Sequence, residues 1–167
     1  MYQRQPVDIA AYIQRTQNNP CFICEIVAQR ADDQRPIIYE DDLAIAFFSK
    51  HQLLYGYILV APRKHCEQVT GDFTLEEYLA LQGLVYRVAE ALRQEVPTER
   101  MYILSLGSQQ GNRHVHWHIA PLPPGVPYTE QQLEALRLAK GGLNVPDEEL
   151  ASLAERIRTR LDKRYDA

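Results

Sequence analysis

The chain of 167 residues has no long apolar run and only three cysteines. Its longest apolar stretches, around Ile58 to Ala61, are far too short to span a bilayer. The first residues, Met1 to Pro6, open no apolar segment of signal-peptide length. We therefore expect a cytoplasmic protein without a membrane partner.

The sequence also lacks an excess of basic residues and an even set of cysteines. Its 18 Lys and Arg against 22 Asp and Glu give a net charge of −4, which supplies no field that would attract polyanions. A nucleic-acid partner is disfavoured. Because Cys21 and Cys24 are separated by only two residues and a single cysteine is left over, a disulfide framework is disfavoured and reduced thiols are expected.

The order of predicted elements indicates an α+β fold. A weak helical pattern over Val7 to Gln17 ends at Asn18-Asn19-Pro20, and a short helical piece follows up to about Arg30. Runs rich in β-branched and aromatic residues then predict an antiparallel sheet of about five strands, at 37–40, 43–49, 56–61, 101–106 and 114–120.

One long helix is inserted before the last two of these strands. Thr74 and Glu77 form a capping box, Pro97 closes the helix, and its apolar stripe is Leu75, Tyr78, Leu79, Val85, Val88, Ala89, Leu92 and Val96. A helix capped by Thr129 and Gln132 and ending at Gly141-Gly142, then another opened by Pro146, form the tail. We predict a domain over 1–128, with an N-terminal appendage at 1–20, and a helical C-terminal extension over 129–167.

Three of the five histidines crowd into five residues. His114, His116 and His118 alternate with apolar residues, so a strand would place all three imidazoles on one face. Three buried histidines in a plain core strand would need many hydrogen-bond partners, which disfavours that interpretation. Two alternatives remain: a metal site formed by two of them, or a nucleophilic histidine whose neighbours hold phosphate oxygens.

Residues 114–120 read His-Val-His-Trp-His-Ile-Ala and resemble the motif of the histidine triad (HIT) superfamily. The resemblance also includes Gln110, the segment from Gly56 to His65, and Cys21. It covers about residues 20 to 121. It implies the HIT-like fold and a nucleotide hydrolase. Because the third histidine is present, the sequence is most similar to the Hint- and Fhit-like branches.

The resemblance assigns a role to each motif position. It implies that His116 is the nucleophile, that His118 contacts the phosphate or assists the leaving group, and that the backbone of His114 orients the nucleophile. The substrate-binding positions that it implies are Phe47, Ser49, Ser105, Gly107, Ser108 and Gln110, with Phe48 beside Phe47. The sequence departs from the family in having Ser49 in place of Asp or Asn, Ser105 in place of Asn, and Tyr57 in place of His.

The pair Cys21 and Cys24 is open to three interpretations: a redox pair, two buried thiols or half of a zinc site. The resemblance favours the last, because bacterial members with this motif bind structural zinc through ligands that would here be Cys21, Cys24, His65 and His114. It also implies a homodimer. No organic cofactor is expected.

The resulting functional prediction is a hydrolase that cleaves at a nucleoside α-phosphate through a covalent nucleotidyl-histidine. Phosphoramidates, dinucleoside polyphosphates and nucleotide sugars are the candidate substrates. Two rival hypotheses are a zinc-dependent enzyme or sensor that uses His114 and His116 as ligands, and a nucleotide-binding regulatory module with slow turnover.

Overall fold

The structure, a computed structural model, describes residues 2–31 and 35–162. Positions 1, 32–34 and 163–167 lie outside the described residues, and the last of these ranges belongs to the predicted C-terminal extension. The helices of this part of the chain are α1 (Ile9–Asn18), α2 (Phe22–Val27), α3 (Leu75–Arg93) and α4 (Asp147–Asp162). None of these helices is both long and apolar enough to cross a membrane.

The long helix α3 begins where the sequence predicts. The Thr74 side chain accepts a hydrogen bond from the Glu77 backbone N–H, and the Glu77 carboxylate accepts one from that of Thr74, so the capping box is confirmed. The predicted apolar stripe is wrong at its first turns, because Leu75 and Leu79 are 75% and 58% exposed. Tyr78, between them, is the residue that packs against Trp117.

The strands form one main sheet and one short ribbon. They are β1 (Arg4–Gln5), β2 (Ile37–Glu40), β3 (Ala44–Phe48), β4 (Ile58–Pro62), β5 (Arg100–Ser105), β6 (Trp117–Leu122) and β7 (Gly142–Leu143). The main sheet has five antiparallel strands in the order β2-β3-β4-β6-β5, whereas β1 pairs with β7. The predicted antiparallel sheet with a helix before its last two strands is confirmed.

Both faces of this sheet are covered. The larger core lies between the sheet and helices α3 and α4, and contains residues such as Ile58, Val60 and Ile119. The opposite face carries a smaller cluster that includes Phe47 and Leu59. Because both faces are covered, every residue of β3 and β4 is buried, and these strands show no polar alternation.

The last strand begins later than predicted. Strand β6 starts at Trp117, so His114 and His116 precede it and only His118 lies in the ladder. The backbone N–H of Val115 donates to the carbonyl of Cys66 at 2.7 Å, outside the register that joins β6 to β4 and β5. His114 and His116 therefore lie just outside the main sheet, immediately before β6 begins.

The first part of the tail is not the predicted α-helix. Three short 3-10 turns occupy Tyr128–Glu130, Gln132–Leu136 and Leu138–Lys140. Gln132 has a φ of +59°, which interrupts any α-helix there, and its backbone N–H donates to the hydroxyl of Tyr102 on β5. Contacts with the sheet have replaced the helical hydrogen bonds. The final helix, α4, is confirmed and packs on the core.

The N-terminal arm is bound to this tail at Gly141. The side chain of Arg4 donates to the carbonyls of Gly141 and Leu53, and β1 pairs with β7 in the next residues. At Gly141 φ is +82°, and a Cβ there would lie only 2.3 Å from the backbone oxygen of Gln5. Only glycine allows the arm and the tail to cross so closely.

We predict that Gly141→Ala destabilises the protein more than Gly125→Ala does. Gly125 has a similar φ of +85° but open space around its Cβ position, so both variants share the left-handed strain of about 1–2 kcal/mol. In Gly141→Ala the new Cβ must also push away the backbone of Gln5. Urea unfolding and limited proteolysis at the N-terminal arm measure the difference, and equal losses in the two variants would contradict the close crossing.

Candidate active site and metal centre

The three histidines share one side of the chain, as the alternation predicts. Val115, Trp117 and Ile119 point into the core beneath α3, and all three are nearly fully buried. His114 and His116 are also buried, with 1% and 3% exposure, and the rings of His116 and His118 lie 4.7 Å apart. The segment therefore has one packing side and one polar side.

The ring of His116 is held by a hydrogen bond to a backbone carbonyl two residues earlier in the chain. Its Nδ1–H donates to the carbonyl of His114 at 2.7 Å, which leaves Nε2 with the lone pair. Burial lowers the pKa of His116, so the ring is neutral at neutral pH. A neutral imidazole with a directed Nε2 lone pair is the form that a nucleophilic histidine requires.

Ser105 holds the backbone carbonyl of His116. It lies at the end of β5, and its hydroxyl donates to the carbonyl of His116 at 2.8 Å. The hydroxyl thus holds the backbone of His116 where the chain leaves the ladder. The structure assigns Ser105 this contact, whereas its predicted contact with substrate stays a prediction.

His118 lies beside Tyr57. The Tyr57 hydroxyl is 2.7 Å from Nδ1 of His118, and the two rings stack with centroids 5.7 Å apart. Burial first, and the neighbouring His116 second, lower the pKa of His118 to about 3. His118 is therefore neutral, and its Nε2 is a buried atom with no hydrogen-bond partner among the described residues.

An aromatic wall borders His116. The ring of Phe22, on α2, lies edge-on to His116 at 6.0 Å and to Phe47 at 6.4 Å. The Arg35 guanidinium lies 6.0 Å from the Phe22 ring centroid and 5.9 Å from that of Phe47. Phe48 belongs to the core under α3 instead, so only Phe47 of the predicted pair lies on this side of the sheet.

The loop between β5 and β6 carries three predicted phosphate-binding positions. Gly107 has a φ of +142°, and a Cβ there would lie 2.6 Å from the backbone oxygen of Asn112. Ser108 and Gly111 form two backbone hydrogen bonds across a tight turn, and Gln110 is exposed within it. The contacts of this loop with substrate stay predictions.

Ser49 directly follows strand β3. Its backbone N–H donates to the carbonyl of Tyr57, and it lines a cavity of about 860 Å³ between the N-terminal arm and the tail. None of the three histidines lines that cavity. A role for Ser49 in binding a ribose stays a prediction.

The four predicted metal ligands come together. One ligand atom from each of Cys21, Cys24, His65 and His114 lies within 4.8 Å of all the others. The Cys24 sulfur is 3.3 Å from Nδ1 of His65 and 3.5 Å from that of His114, and the Cys21 sulfur is 3.4 Å from the latter. Zinc bonds of about 2.0–2.3 Å in a tetrahedron put ligand atoms about 3.3–3.8 Å apart, a range that these three distances match.

The groups around these ligands also fit a metal. The Nε2–H of His114 donates to the carbonyl of Pro62, and that of His65 faces the carboxylate of Glu67 at 3.1 Å, so both rings turn Nδ1 toward the sulfurs. Burial lowers the pKa of His114 to about 4 and raises that of Cys24 to about 11. Because zinc binds neutral imidazole and thiolate, its binding would release a proton from Cys24.

More than half of the chain, residues 30–124, matches the family described as the HIT domain. Protein hit of Bacillus subtilis is 31% identical over 104 residues, which make up 60% of this chain and 70% of that protein. The chain belongs to the histidine triad (HIT) family. Membership supports a nucleotide-binding or hydrolase function in general.

Solved structures confirm the HIT fold. A hypothetical histidine triad nucleotide-binding protein from Sulfolobus tokodaii has a TM-score of 0.68 at 23% identity, covering 86% of this chain and 93% of that one. A zinc-bound histidine triad family protein from Mycobacterium smegmatis has a TM-score of 0.66 at 21% identity, covering 87% and 96%.

Two neighbours of the site were missed by sequence reasoning. Phe22 lies between the two cysteines of the Cys-x-x-Cys segment. That motif predicts a role for the cysteines only and none for the residues between them. Tyr12 lies in the predicted N-terminal appendage, yet its hydroxyl accepts a hydrogen bond from the Asn112 side chain in the loop before the triad. An aromatic residue within a weakly amphipathic helix was the only available signal for Tyr12.

We predict that Ser105→Ala lowers the free energy of unfolding by about 1 kcal/mol, because the His116 carbonyl loses the hydroxyl that donates to it. Ser108→Ala, in the exposed loop, is the matched control and should change stability by less than about 0.5 kcal/mol. Urea unfolding of both variants at equal metal content makes the comparison. A loss for Ser105→Ala no larger than that of the control would contradict this positioning role.

Proposed function

We propose that this protein hydrolyses nucleotides at the α-phosphate through a covalent intermediate on His116. The observation that carries the proposal is the hydrogen bond from His116 Nδ1 to the His114 carbonyl, which directs the Nε2 lone pair away from the backbone. Family membership supports the chemical class. The structure from Sulfolobus tokodaii is described as a nucleotide-binding protein, which agrees with this class of ligand.

The reaction has two steps. In the first, Nε2 of His116 forms a bond to the α-phosphorus, the bond from phosphorus to the leaving group breaks, and the leaving group takes up a proton that the attacking water of the second step replaces. The His114 carbonyl, which accepts from Nδ1–H, stabilises the positive charge that develops on the ring. In the second, water attacks phosphorus, the nitrogen–phosphorus bond breaks, and a nucleoside monophosphate leaves. His118, beside His116, contacts the phosphate oxygens or the leaving group.

The substrate is a nucleotide that carries a substituent on its α-phosphate. Phosphoramidates, dinucleoside polyphosphates and nucleotide sugars fit this description. Phe22, edge-on to His116 and backed by the fully buried Phe47, supplies an aromatic ring on which a base could stack. The rival regulatory module with slow turnover would use the same pocket, and the rate of turnover distinguishes it from the enzyme.

We infer that the four-ligand cluster binds structural zinc. The ligand spacing and the orientation of both rings support this inference, and the neighbour from Mycobacterium smegmatis is described as zinc-bound. The cluster contains His114 but not His116, which disfavours the rival hypothesis of a catalytic metal held by both. With four protein ligands the ion has no open position, so it would hold α2 against the triad segment.

A homodimer is a further expectation from family membership. Strand β5 pairs with β6 on one side only within the described chain, and it carries Ile103, which is 46% exposed. An edge strand with an exposed apolar residue is a suitable surface for a second copy of this chain.

The central test is turnover of a fluorogenic adenosine phosphoramidate with and without a chelator. We expect the wild type to release the amine, His116→Ala to be slower by about 10⁴-fold or more, and folded protein to keep its activity after chelation. His51→Ala, which changes a histidine outside the triad, is the matched control. Full activity in His116→Ala would overturn the proposal, and activity that disappears on chelation while the fold persists would favour a catalytic metal.

The zinc inference predicts about one zinc ion per chain in the purified wild type. Cys24→Ser should lose most of this metal and unfold at a lower temperature, because metal binding and folding are coupled. Cys66→Ala is the control, since Cys66 is not part of the cluster. Elemental analysis and thermal unfolding measure both effects, and equal zinc in Cys24→Ser and wild type would contradict the assignment.

A further inference from the structure

Tyr57 is held in place more firmly than an ordinary aromatic residue in a core. Its side chain is only 4% exposed, and the buried side chain of Gln52 binds its backbone on both sides. The amide nitrogen of Gln52 donates to the Tyr57 carbonyl at 2.9 Å, and the amide oxygen accepts from the Tyr57 N–H at 3.0 Å. The position of the phenol ring is therefore fixed before any ligand binds.

The Tyr57 hydroxyl reaches one ring nitrogen of His118, Nδ1. The distance of 2.7 Å to Nδ1 and the stacked rings bring the hydroxyl into the hydrogen-bonding range of this nitrogen. The other ring nitrogen of His118, Nε2, is buried and has no hydrogen-bond partner in the described part of the chain. A buried polar atom without a partner, next to the His116 ring, marks a position where a ligand atom completes the pairing.

The Tyr57–His118 bond can have either polarity, and each polarity gives His118 a different function. If the hydroxyl donates to Nδ1, the single N–H of the neutral ring lies on Nε2; if it accepts, Nε2 carries a lone pair. Burial lowers the pKa of His118 and raises that of Tyr57, so the ring has one N–H and the phenol keeps its proton. Phosphate oxygens accept hydrogen bonds, so only an Nε2–H can pair with them.

We propose that Tyr57 is a positioning residue: its hydroxyl donates to Nδ1 of His118, holds the Nε2–H form of that ring, and so directs one donor at the phosphate group bound beside His116. This inference rests on the proposed hydrolysis at an α-phosphate. It also gives a physical meaning to the departure from the family at position 57. Burial would keep a histidine there neutral, and its one proton could lie on either ring nitrogen, whereas the phenol oxygen always carries its proton.

The first test is the tautomer of His118, which is independent of activity. Long-range ¹H–¹⁵N correlation spectra of ¹⁵N-histidine-labelled protein distinguish a ring protonated at Nε2 from one protonated at Nδ1, and a His118→Gln spectrum assigns the signals. We expect the Nε2–H pattern in the wild type and a mixture of tautomers in Tyr57→Phe. An Nδ1–H pattern in the wild type, or an unchanged pattern in Tyr57→Phe, would overturn the proposal.

The second test is kinetic. Tyr57→Phe keeps the stacked ring and its volume but removes the donor, and we expect kcat to fall about 10- to 100-fold while KM changes less than about threefold. Tyr102→Phe is the matched control, since Tyr102 packs on the same apolar cluster as Tyr57 but its hydroxyl contacts the Gln132 backbone. A fall in Tyr57→Phe no larger than in the control would contradict the kinetic role. If the wild type lacks hydrolase activity, the proposed function fails, and the NMR result still decides the tautomer.

Discussion

The hydrogen bond from His116 Nδ1–H to the carbonyl of His114 is the constraint on which the site depends. It joins two residues of the triad and requires the backbone between them to leave the ladder, since a strand would direct that carbonyl toward a neighbouring strand. The Cys66 carbonyl accepts from the Val115 N–H, and the Ser105 hydroxyl donates to the His116 carbonyl, so both hold the backbone outside the ladder. The unusual backbone and the orientation of the proposed nucleophilic nitrogen, Nε2 of His116, therefore have one cause.

The same short segment belongs to two sites with different requirements. Nδ1 of His114 faces the two cysteines and its carbonyl orients His116, so one residue connects the four-ligand cluster with the proposed catalytic ring. If zinc is bound, the α2 segment with Phe22 is held beside His116, and the metal supports the shape of the pocket without taking part in the reaction. In this arrangement the proposed zinc site and the proposed nucleophile share one stretch of chain without sharing a side chain.

Much of this could be predicted from sequence because the signals were local. Alternation placed Val115, Trp117 and Ile119 in the core, the capping box placed the start of α3, and the resemblance named four ligands that the structure brings together. The failures have a different origin. The late start of β6, the 3-10 turns after Gly125 and the contact of Tyr12 with Asn112 all depend on partners far away in sequence, which no local pattern contains.

The proposed covalent bond between His116 and phosphorus is tested most directly by trapping it. A His118→Ala variant, incubated with an adenosine phosphoramidate and examined by intact-protein and peptide mass spectrometry at neutral pH, should carry one adenosine monophosphate group on His116. The adduct should be absent when His116 is also replaced by Ala. Turnover without any adduct, or an adduct on another residue, would contradict the proposed nucleophile.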